Sequence, residues 1–439
     1  MTIVRAALVF AEDRWVRDHA FAIEGAGIAD VGTAGDLRGR RPTDDLEDWG
    51  EVAVLPGTVN GHAHSFQALL RGFGDDMTFD AWRDRVLYPF SEMLTTRDIG
   101  TGALFDFAEM AKAGVTTVAD FFYINDGGNE NAMAVVEAAR RVGIRIILAR
   151  AMYDRSGAPE RFRETVERSV ENFRELHREL RADPLASAQP APHSLHAASP
   201  EMVRAGAALA EELGLPFHIH VAEGSYEREM TLERHGMSPV RVLDSLDALD
   251  GRTVMVHCVW VDDDDLDLIA AKGAKVVHNP GANAFLGDGV APLARMLARG
   301  ITVCLGTDGG CTNSRQSVFD DMRQAALMAK ATAADASAID AERVLLAGTA
   351  RGGEVLDLPV GQIAPGFAAD LVVLDLEALS LQPRATAEKQ VVYAMQPDAI
   401  ARVVVAGETI VQRGTLTRVD EAEIVARVND LTSGWIRPG

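Results

Sequence analysis

The sequence predicts an α/β chain: a closed (β/α)8 barrel of the TIM type, with a small composite β-sandwich built from both chain ends. Three observations predict it. Eight short apolar, β-rich runs alternate with helical patterns through the middle of the 439 residues. Strand-like alternation appears at both ends, and histidines gather where the middle runs stop. The expected division is a first sandwich part over 1–53, the barrel over 54–358, and a second sandwich part with a C-terminal tail over 359–439.

Taken in order, residues 2–9, 19–23 and 27–31 alternate apolar and polar side chains between Glu, Asp and Gly breaks, the pattern of a small antiparallel sheet. Similar segments return at 370–374, 401–405 and 409–412, so the two ends are expected to pair around an inserted middle. The barrel runs fall at 52–55, 115–122, 144–149, 185–189, 217–221, 253–256, 275–277 and 302–305. Helical patterns lie between them, among them 97–113, 131–142, 160–180 and 200–213; the last stops at Gly214 before Pro216. No G-x-G-x-x-G follows an early strand, which speaks against a dinucleotide fold. The connection over 65–97 is long for a barrel loop and carries Trp82, Arg83, Tyr88 and Phe90, so it is expected to cover the site. Residues 433–439 read as a surface tail.

Composition narrows the class. At 47% hydrophobic residues the chain can bury a large core, and a net charge of −22 opposes sequence-independent binding of nucleic-acid phosphates. The run Asp262-Asp263-Asp264-Asp265 precedes apolar Leu266, Leu268 and Ile269 and reads as a helix start facing the positive dipole end, with a cation site as the alternative. Cys258, Cys304 and Cys311 form no C-x-x-C and fit a reducing compartment. With no basic-then-apolar leader and no apolar run of spanning length, a soluble cytoplasmic protein without membrane partners is expected.

The chemistry begins at Leu55-Pro56-Gly57-Thr58-Val59-Asn60-Gly61-His62-Ala63-His64. Imidazoles at i and i+2 of an extended segment point the same way and can reach one metal ion. An H-x-H alone is weak evidence, but the placement recurs. His193 ends the fourth run, His218 and His220 lie on the fifth, His257 ends the sixth, His278 the seventh, and Asp308 the eighth. Of eleven histidines only His19, His177 and His235 fall elsewhere, with His196 just past His193. Barrel active sites sit at these carboxyl ends. A site of His62, His64, His220 and Asp308 offers three nitrogens and one oxygen and leaves a position for water, as catalytic zinc requires. His218, two residues deeper than His220, reads as a hydrogen-bonded barrel filler, with a ligand as the alternative.

These motifs resemble the amidohydrolase superfamily, in its deaminase branch. The residues that carry the resemblance are Pro56-Gly57 leading to His62-Ala63-His64, His218-Ile219-His220 with Glu223, His257-Cys258, His278-Asn279-Pro280 with Asn283, and Gly306-Thr307-Asp308-Gly309. Gly361-Gln362-Ile363-Ala364-Pro365-Gly366 with Ala369-Asp370-Leu371 is similar to the family's return into its sandwich. The resemblance implies that His62, His64, His220 and Asp308 hold the metal, that Glu223 moves protons, that His257 stands beside the attacking water, and that Asp308 takes the water's proton. It also implies a homo-oligomer, a dimer or larger. The two-metal branch bridges its ions with a carboxylated lysine on strand four; residues 185–192 contain no lysine, so one divalent ion is expected, zinc or alternatively iron. The unrelated zinc deaminases with P-C-x-x-C are excluded.

For the small-molecule substrate, His64-Ser65-Phe66-Gln67, Trp82-Arg83 with Tyr88, Phe122-Tyr123 and Ala191-Pro192-His193-Ser194-Leu195 resemble formimidoyl-glutamate deiminases, which implies substrate contacts at Gln67, Arg83, Tyr123 and His193. Those deiminases carry an arginine where this chain has His196, and a histidine cannot reproduce its bidentate clamp on a carboxylate. The motifs around Asn279 and Asp308 lean toward heterocycle deaminases. The expectation is therefore a zinc-dependent aminohydrolase that attacks an amidine-like carbon, in a heterocycle or related small molecule, and releases ammonia. N-formimidoyl-L-glutamate deimination and amide or chloro hydrolysis on the same scaffold are the alternatives.

Overall fold

Eight parallel strands form the inner ring of the computed structural model, which describes residues 2–435. They are β1 (Thr58–His64), β2 (Val115–Phe122), β3 (Arg145–Met152), β4 (Ala186–Pro192), β5 (Phe217–Val221), β6 (Thr253–His257), β7 (Lys275–His278) and β8 (Val303–Leu305). β1 through β4 pair in sequence, as do β5 through β8. Two seams close the ring. Ser194 bridges His220 between β4 and β5, and Asp308–Gly309, just past β8, pairs with Ala63 and His64 of β1. The fold is of TIM-barrel type, its interior packed by Val59, Ala119, Ile147, Val254, Val277 and Cys304.

The helices outside the ring start where the sequence supplies caps. Thr95 and Asp98 form a capping box on Thr96–Lys112. Ser199 caps Pro200–Leu213, which ends at left-handed Gly214. Asp262 and Asp265 box the start of Asp263–Lys272, and Arg228, Arg241, Arg295 and Arg299 neutralise that acidic run. The expected helix over 160–180 divides: Glu160–Phe162 is a short 3-10 turn and Val166–Leu180 the helix. Glu164 is drawn aside to receive Arg150 Nη1 at 2.7 Å and Nη2 at 3.0 Å.

The two chain ends meet in one nine-stranded sheet, hydrogen-bonded where Val52–Pro56 runs antiparallel to Leu371–Asp375. Here the structure departs from the expected barrel runs: 52–55 belongs to this outer sheet, and β1 is the next segment, Thr58–His64. Both sheets accept apolar β-formers, so composition does not tell them apart. The crossing is made at Gly57, where a Cβ would lie 2.1 Å from Thr116 Oγ1 and where the N–H donates to the Asp370 carbonyl at 2.8 Å. The long 65–97 connection is mostly helical, through Ser65–Leu70 and the continuous turns Phe79–Trp82, Arg83–Leu87 and Tyr88–Met93. The expected tail is anchored at Trp435, whose ring lies 4.7 Å from that of Phe90 and 5.6 Å from that of Phe73; residues 436–439 lie outside the described residues. Among the described residues no helix is long and apolar enough to cross a membrane.

Candidate active site

At the carboxyl ends of the strands the chain brings His62, His64, His220 and Asp308 together. The His62 ring centroid lies 4.7 Å from that of His64 and 4.9 Å from that of His220. Asp308 Oδ1 is 3.4 Å from Nε2 of both His62 and His64. One nitrogen each from His62, His64 and His220 falls within 4.8 Å of the others. All four side chains are buried.

Hydrogen bonds outside the cluster aim the rings. His64 Nδ1–H donates to the Phe121 carbonyl at 2.6 Å, and His220 Nδ1–H to the His193 carbonyl at 2.8 Å. A carbonyl only accepts, so the proton sits on Nδ1 and the Nε2 lone pair of each ring is left for the interior. Burial lowers His64 to about 4 and His220 well below its ordinary value, which keeps both neutral. Neither ring nitrogen of His62 has a hydrogen-bond partner among the described residues. An orphaned buried nitrogen costs about 1–3 kcal/mol, which a bound cation would offset. Burial works to raise Asp308, but the imidazoles of His62, His64 and His257 that face it outweigh that and hold the carboxyl below its usual range. Three imidazoles and one carboxylate fit a divalent metal ion.

The chain leaves three strand ends through left-handed residues, Ala222 (φ 52°), His257 (φ 78°) and Asp308 (φ 63°). Non-glycine residues pay for that conformation, and such strain clusters at functional sites. Glu223 follows Ala222 directly. It is 7% exposed, its Oε1 lies 3.6 Å from His257 Nε2, and burial with the charges of Asp288, Asp308 and Glu227 raises its carboxyl well above the ordinary value. Burial therefore favours the protonated form of Glu223 more than that of an exposed carboxyl.

His257 lies close enough to His62 and Asp308 to share a cation with them. Its partners indicate otherwise. Asn283 Nδ2 donates to His257 Nδ1 at 3.0 Å, and Asn279 Nδ2 lies 3.3 Å from the same atom. Asn283 Nδ2 also donates to Asp288 Oδ2 at 3.2 Å, which fixes the direction of that amide. Nδ1 therefore accepts, Nε2 bears the proton, and the ring presents an N–H rather than a lone pair to the centre. Asn279 and Asn283 stand in the sequence motifs without a role; only the arrival of β6 beside them reveals one. His218 Nε2–H donates to Gln189 Oε1 at 2.6 Å, below the cluster, as a barrel filler would.

Gln67, Arg83, Tyr123 and His193 line one cavity with His64, His220, Glu223, His257 and Asp308. Gln67 Nε2 donates to the Tyr123 hydroxyl at 2.6 Å, and the Cys311 thiol donates to Gln67 Oε1 at 3.3 Å. Gly309 makes room for that amide, since a Cβ there would sit 2.0 Å from Gln67 Oε1. The His193 ring stacks on His220 at 4.7 Å and meets Tyr123 and Tyr153 edge-on. Arg83, paired with Asp80 at 2.9 Å and Asp84 at 2.8 Å, stands between the Phe79 and Tyr88 rings. The 65–97 segment thus supplies one wall of the cavity, with Phe79, Trp82, Arg83, Leu87 and Tyr88. Tyr153, Phe162 and Thr312 also line it, without any sequence signal to single them out, as do His196 and Leu286.

Comparison with known proteins places this geometry. The model of the amidohydrolase family matches residues 53–410. A 5-methylthioadenosine/S-adenosylhomocysteine deaminase of Nitratidesulfovibrio vulgaris is 34% identical over 438 residues, 99% of this chain and 97% of that protein. A 5'-deoxyadenosine deaminase of Methanopyrus kandleri is 33% identical over 414 residues, 92% of this chain and 93% of that protein. The crystal structure of an adenosine deaminase from Xanthomonas campestris with bound zinc superposes with a TM-score of 0.90 at 28% identity, covering 98% of each chain.

Proposed function

The chain belongs to the amidohydrolase family and is a deaminase-type hydrolase of carbon–nitrogen bonds, and we propose that it removes the 6-amino group of adenosine-type nucleosides with one divalent metal held by His62, His64, His220 and Asp308. The observation that carries this reading is the set of groups meeting in one cavity: inward Nε2 lone pairs, the buried Glu223 whose surroundings favour its protonated form, and the N–H of His257. The names of the relatives supply the class of nucleoside.

Bound zinc or iron would supply a water acidified toward neutral pH. The residues do the rest. Asp308, kept ionised by its histidine neighbours, accepts a proton from the attacking water. Glu223 protonates the ring nitrogen beside the attacked carbon. It then takes up the remaining proton of the added hydroxyl as the carbonyl forms and gives it to the departing amine, and the proton held by Asp308 restores Glu223. A C–O bond forms, the C–N bond breaks, ammonia leaves, and the amidine unit becomes a lactam. His257 Nε2–H donates to the developing oxygen, held in that tautomer by Asn283 and Asn279. Gln67, Tyr123 and His193 position the base, and Arg83 braces the aromatic wall.

Ammonia release and product mass test the reading on a panel of adenosine, 5'-deoxyadenosine and 5'-methylthioadenosine against guanine, a pterin, an aminotriazine, a chlorotriazine and formimidoyl-glutamate. Turnover of the adenosine compounds to 6-oxo products is expected. Turnover confined to formimidoyl-glutamate, or chloride release without ammonia, refutes it. The same reading takes the nine-stranded outer sheet as a composite sandwich over 1–53 and 359–439, the oligomer as a dimer or larger, and the location as cytoplasmic, supported by three buried free cysteines. Light scattering checks the oligomer.

A further inference from the structure

Beside Glu223 lies a buried carboxyl that takes no part in the proposed chemistry, that of Glu227. It is the third residue of the helix Ser225–His235 and is wholly buried, yet it is not among the residues that line the cavity. Its Oε2 accepts from the Glu223 N–H at 3.3 Å. Burial raises its carboxyl to about 7, against the N–H groups of Glu223 and Ala222, which pull it down. Its Oε1 has no hydrogen-bond partner among the described residues.

The turn that Glu227 meets needs an anchor. Past Val221 the pairing of β5 with β6 stops, and the chain turns through left-handed Ala222 (φ 52°), a conformation disfavoured outside glycine. One edge of the turn is tied to the segment after His257, since the Ala222 carbonyl accepts from the Val259 N–H at 3.0 Å and the Trp260 N–H at 2.9 Å. The other edge, the amides of Ala222 and Glu223, meets Glu227. Gly224 caps the helix without a side chain, so a carboxylate reaching back from the third helical position takes over that task. An exposed cap would serve the helix as well; this one is held in the interior, and its target is the backbone of Glu223. The Glu223 carboxyl itself makes no hydrogen bond to a described residue and stands 3.6 Å from His257 Nε2. A flexible side chain without a partner takes its position from the backbone beneath it.

We propose that Glu227 is a positioning residue for the deamination: by holding the Glu223 N–H it fixes where that proton carrier stands between the substrate and His257. The spacing of the two glutamates follows from this geometry. Gly224 turns the chain, and the first helical turn brings the second carboxyl back over the first amide. Glu227 acts through Glu223 alone, so its removal slows the chemical step and leaves substrate and metal binding unchanged.

This inference rests on the proposed reaction, and one experiment separates the two. Metal-loaded wild type, Glu227→Gln, Glu227→Leu, Glu223→Gln and the double variant Glu223→Gln/Glu227→Leu are compared on 5'-deoxyadenosine and 5'-methylthioadenosine. Glutamine keeps an acceptor of the same reach, so kcat is expected within about threefold of wild type. Leucine removes the acceptor, and kcat is expected to fall about 30-fold or more, with KM within about twofold and bound metal unchanged. Where Glu223 is already glutamine the proton carrier is gone, and the added leucine is expected to lower turnover by less than about threefold. Should the leucine variant not fold, Glu227→Asp, which draws the carboxyl back by a methylene, is read in the same two backgrounds against the same limits. An unchanged kcat in the leucine variant, equal losses in both backgrounds, a glutamine variant as slow as leucine, or a loss that follows metal content overturns the positioning role. Failure of the wild type on both adenosine compounds overturns the reaction itself, and this inference with it.

Discussion

Replacing Asn283 by leucine tests whether the tautomer of His257 is built into the fold. The side chain is close to isosteric, so the substitution removes a donor with little change of packing. His257 Nδ1 loses its 3.0 Å partner and keeps the amide of Asn279 at 3.3 Å. A hydrogen bond lost at a buried group costs about 1–1.5 kcal/mol, and about 1.4 kcal/mol is a factor of ten in an equilibrium. The ratio of Nε2–H to Nδ1–H forms therefore falls by about tenfold, and kcat is expected to drop by about 5–20-fold with KM little changed. Adding Asn279→Leu deepens the loss. Bound metal stays constant, because the rings of His64 and His220 are aimed by the carbonyls of Phe121 and His193 and not by either asparagine. Steady-state kinetics, metal analysis and nitrogen-15 spectra of the imidazoles make the measurement. An unaltered tautomer with unaltered kcat would refute the reasoning, as would a loss of activity that tracks a loss of metal.

Glu223→Gln removes the proton carrier and leaves the four candidate ligands in place, so turnover is expected to fall by two or more orders of magnitude with metal retained; near-normal turnover in the loaded variant would end that assignment. Chelation is expected to abolish activity and lower the melting temperature, since His62 then keeps two unsatisfied buried nitrogens, and reloading with zinc or ferrous iron in parallel identifies the working metal. Asp120 is raised to about 7 by burial, although the Ser65 amide hydrogen bond pulls it down. The folded state therefore holds that proton more tightly than the unfolded chain and loses stability as pH rises from about 4 through about 7. Asp120→Asn keeps an acceptor for the Ser65 N–H, donated at 2.6 Å, and cannot ionise, so its stability relative to wild type should climb over that interval in denaturation curves; a constant difference would contradict this.

The candidate site was legible because a barrel delivers the ends of all its strands to one face. Histidines at the ends of five runs and an aspartate at a sixth are far apart in sequence, and only such a fold makes their positions equivalent. The pairing of the chain ends was legible for a similar reason, since alternating segments with no neighbours to pair with must find each other. Identifying β1 was harder. Thr58-Val59-Asn60-Gly61 lacks an apolar run because Asn60 is spent inside, donating to Thr307 Oγ1 at 2.7 Å and receiving the Thr307 amide at 3.0 Å. Polar residues buried for mutual hydrogen bonding read as surface when only periodicity is available. The helices of 79–93 were hidden for another reason: their inner face is aromatic and charged because it faces a cavity, so no clean apolar stripe marks them.

The two seams of the barrel share a property with the site. Elsewhere the strands are zipped by several ladder pairs, such as the seven that join β3 to β4. Among the described residues β4 meets β5 through the single bridge of Ser194 to His220, and β8 meets β1 only where Asp308 and Gly309 lie beside Ala63 and His64. Each seam thus passes through a candidate ligand. A cation bound to His62, His64, His220 and Asp308 ties β1 to β5 across the ring and β8 to β1 at the seam, where the backbone ladder is thinnest. Metal binding and closure of the barrel are then one equilibrium, and the free energy of one is available to the other. Strained backbone at His257 and Asp308 follows from the same design, because residues that must leave a strand early to face a common centre cannot continue its ladder.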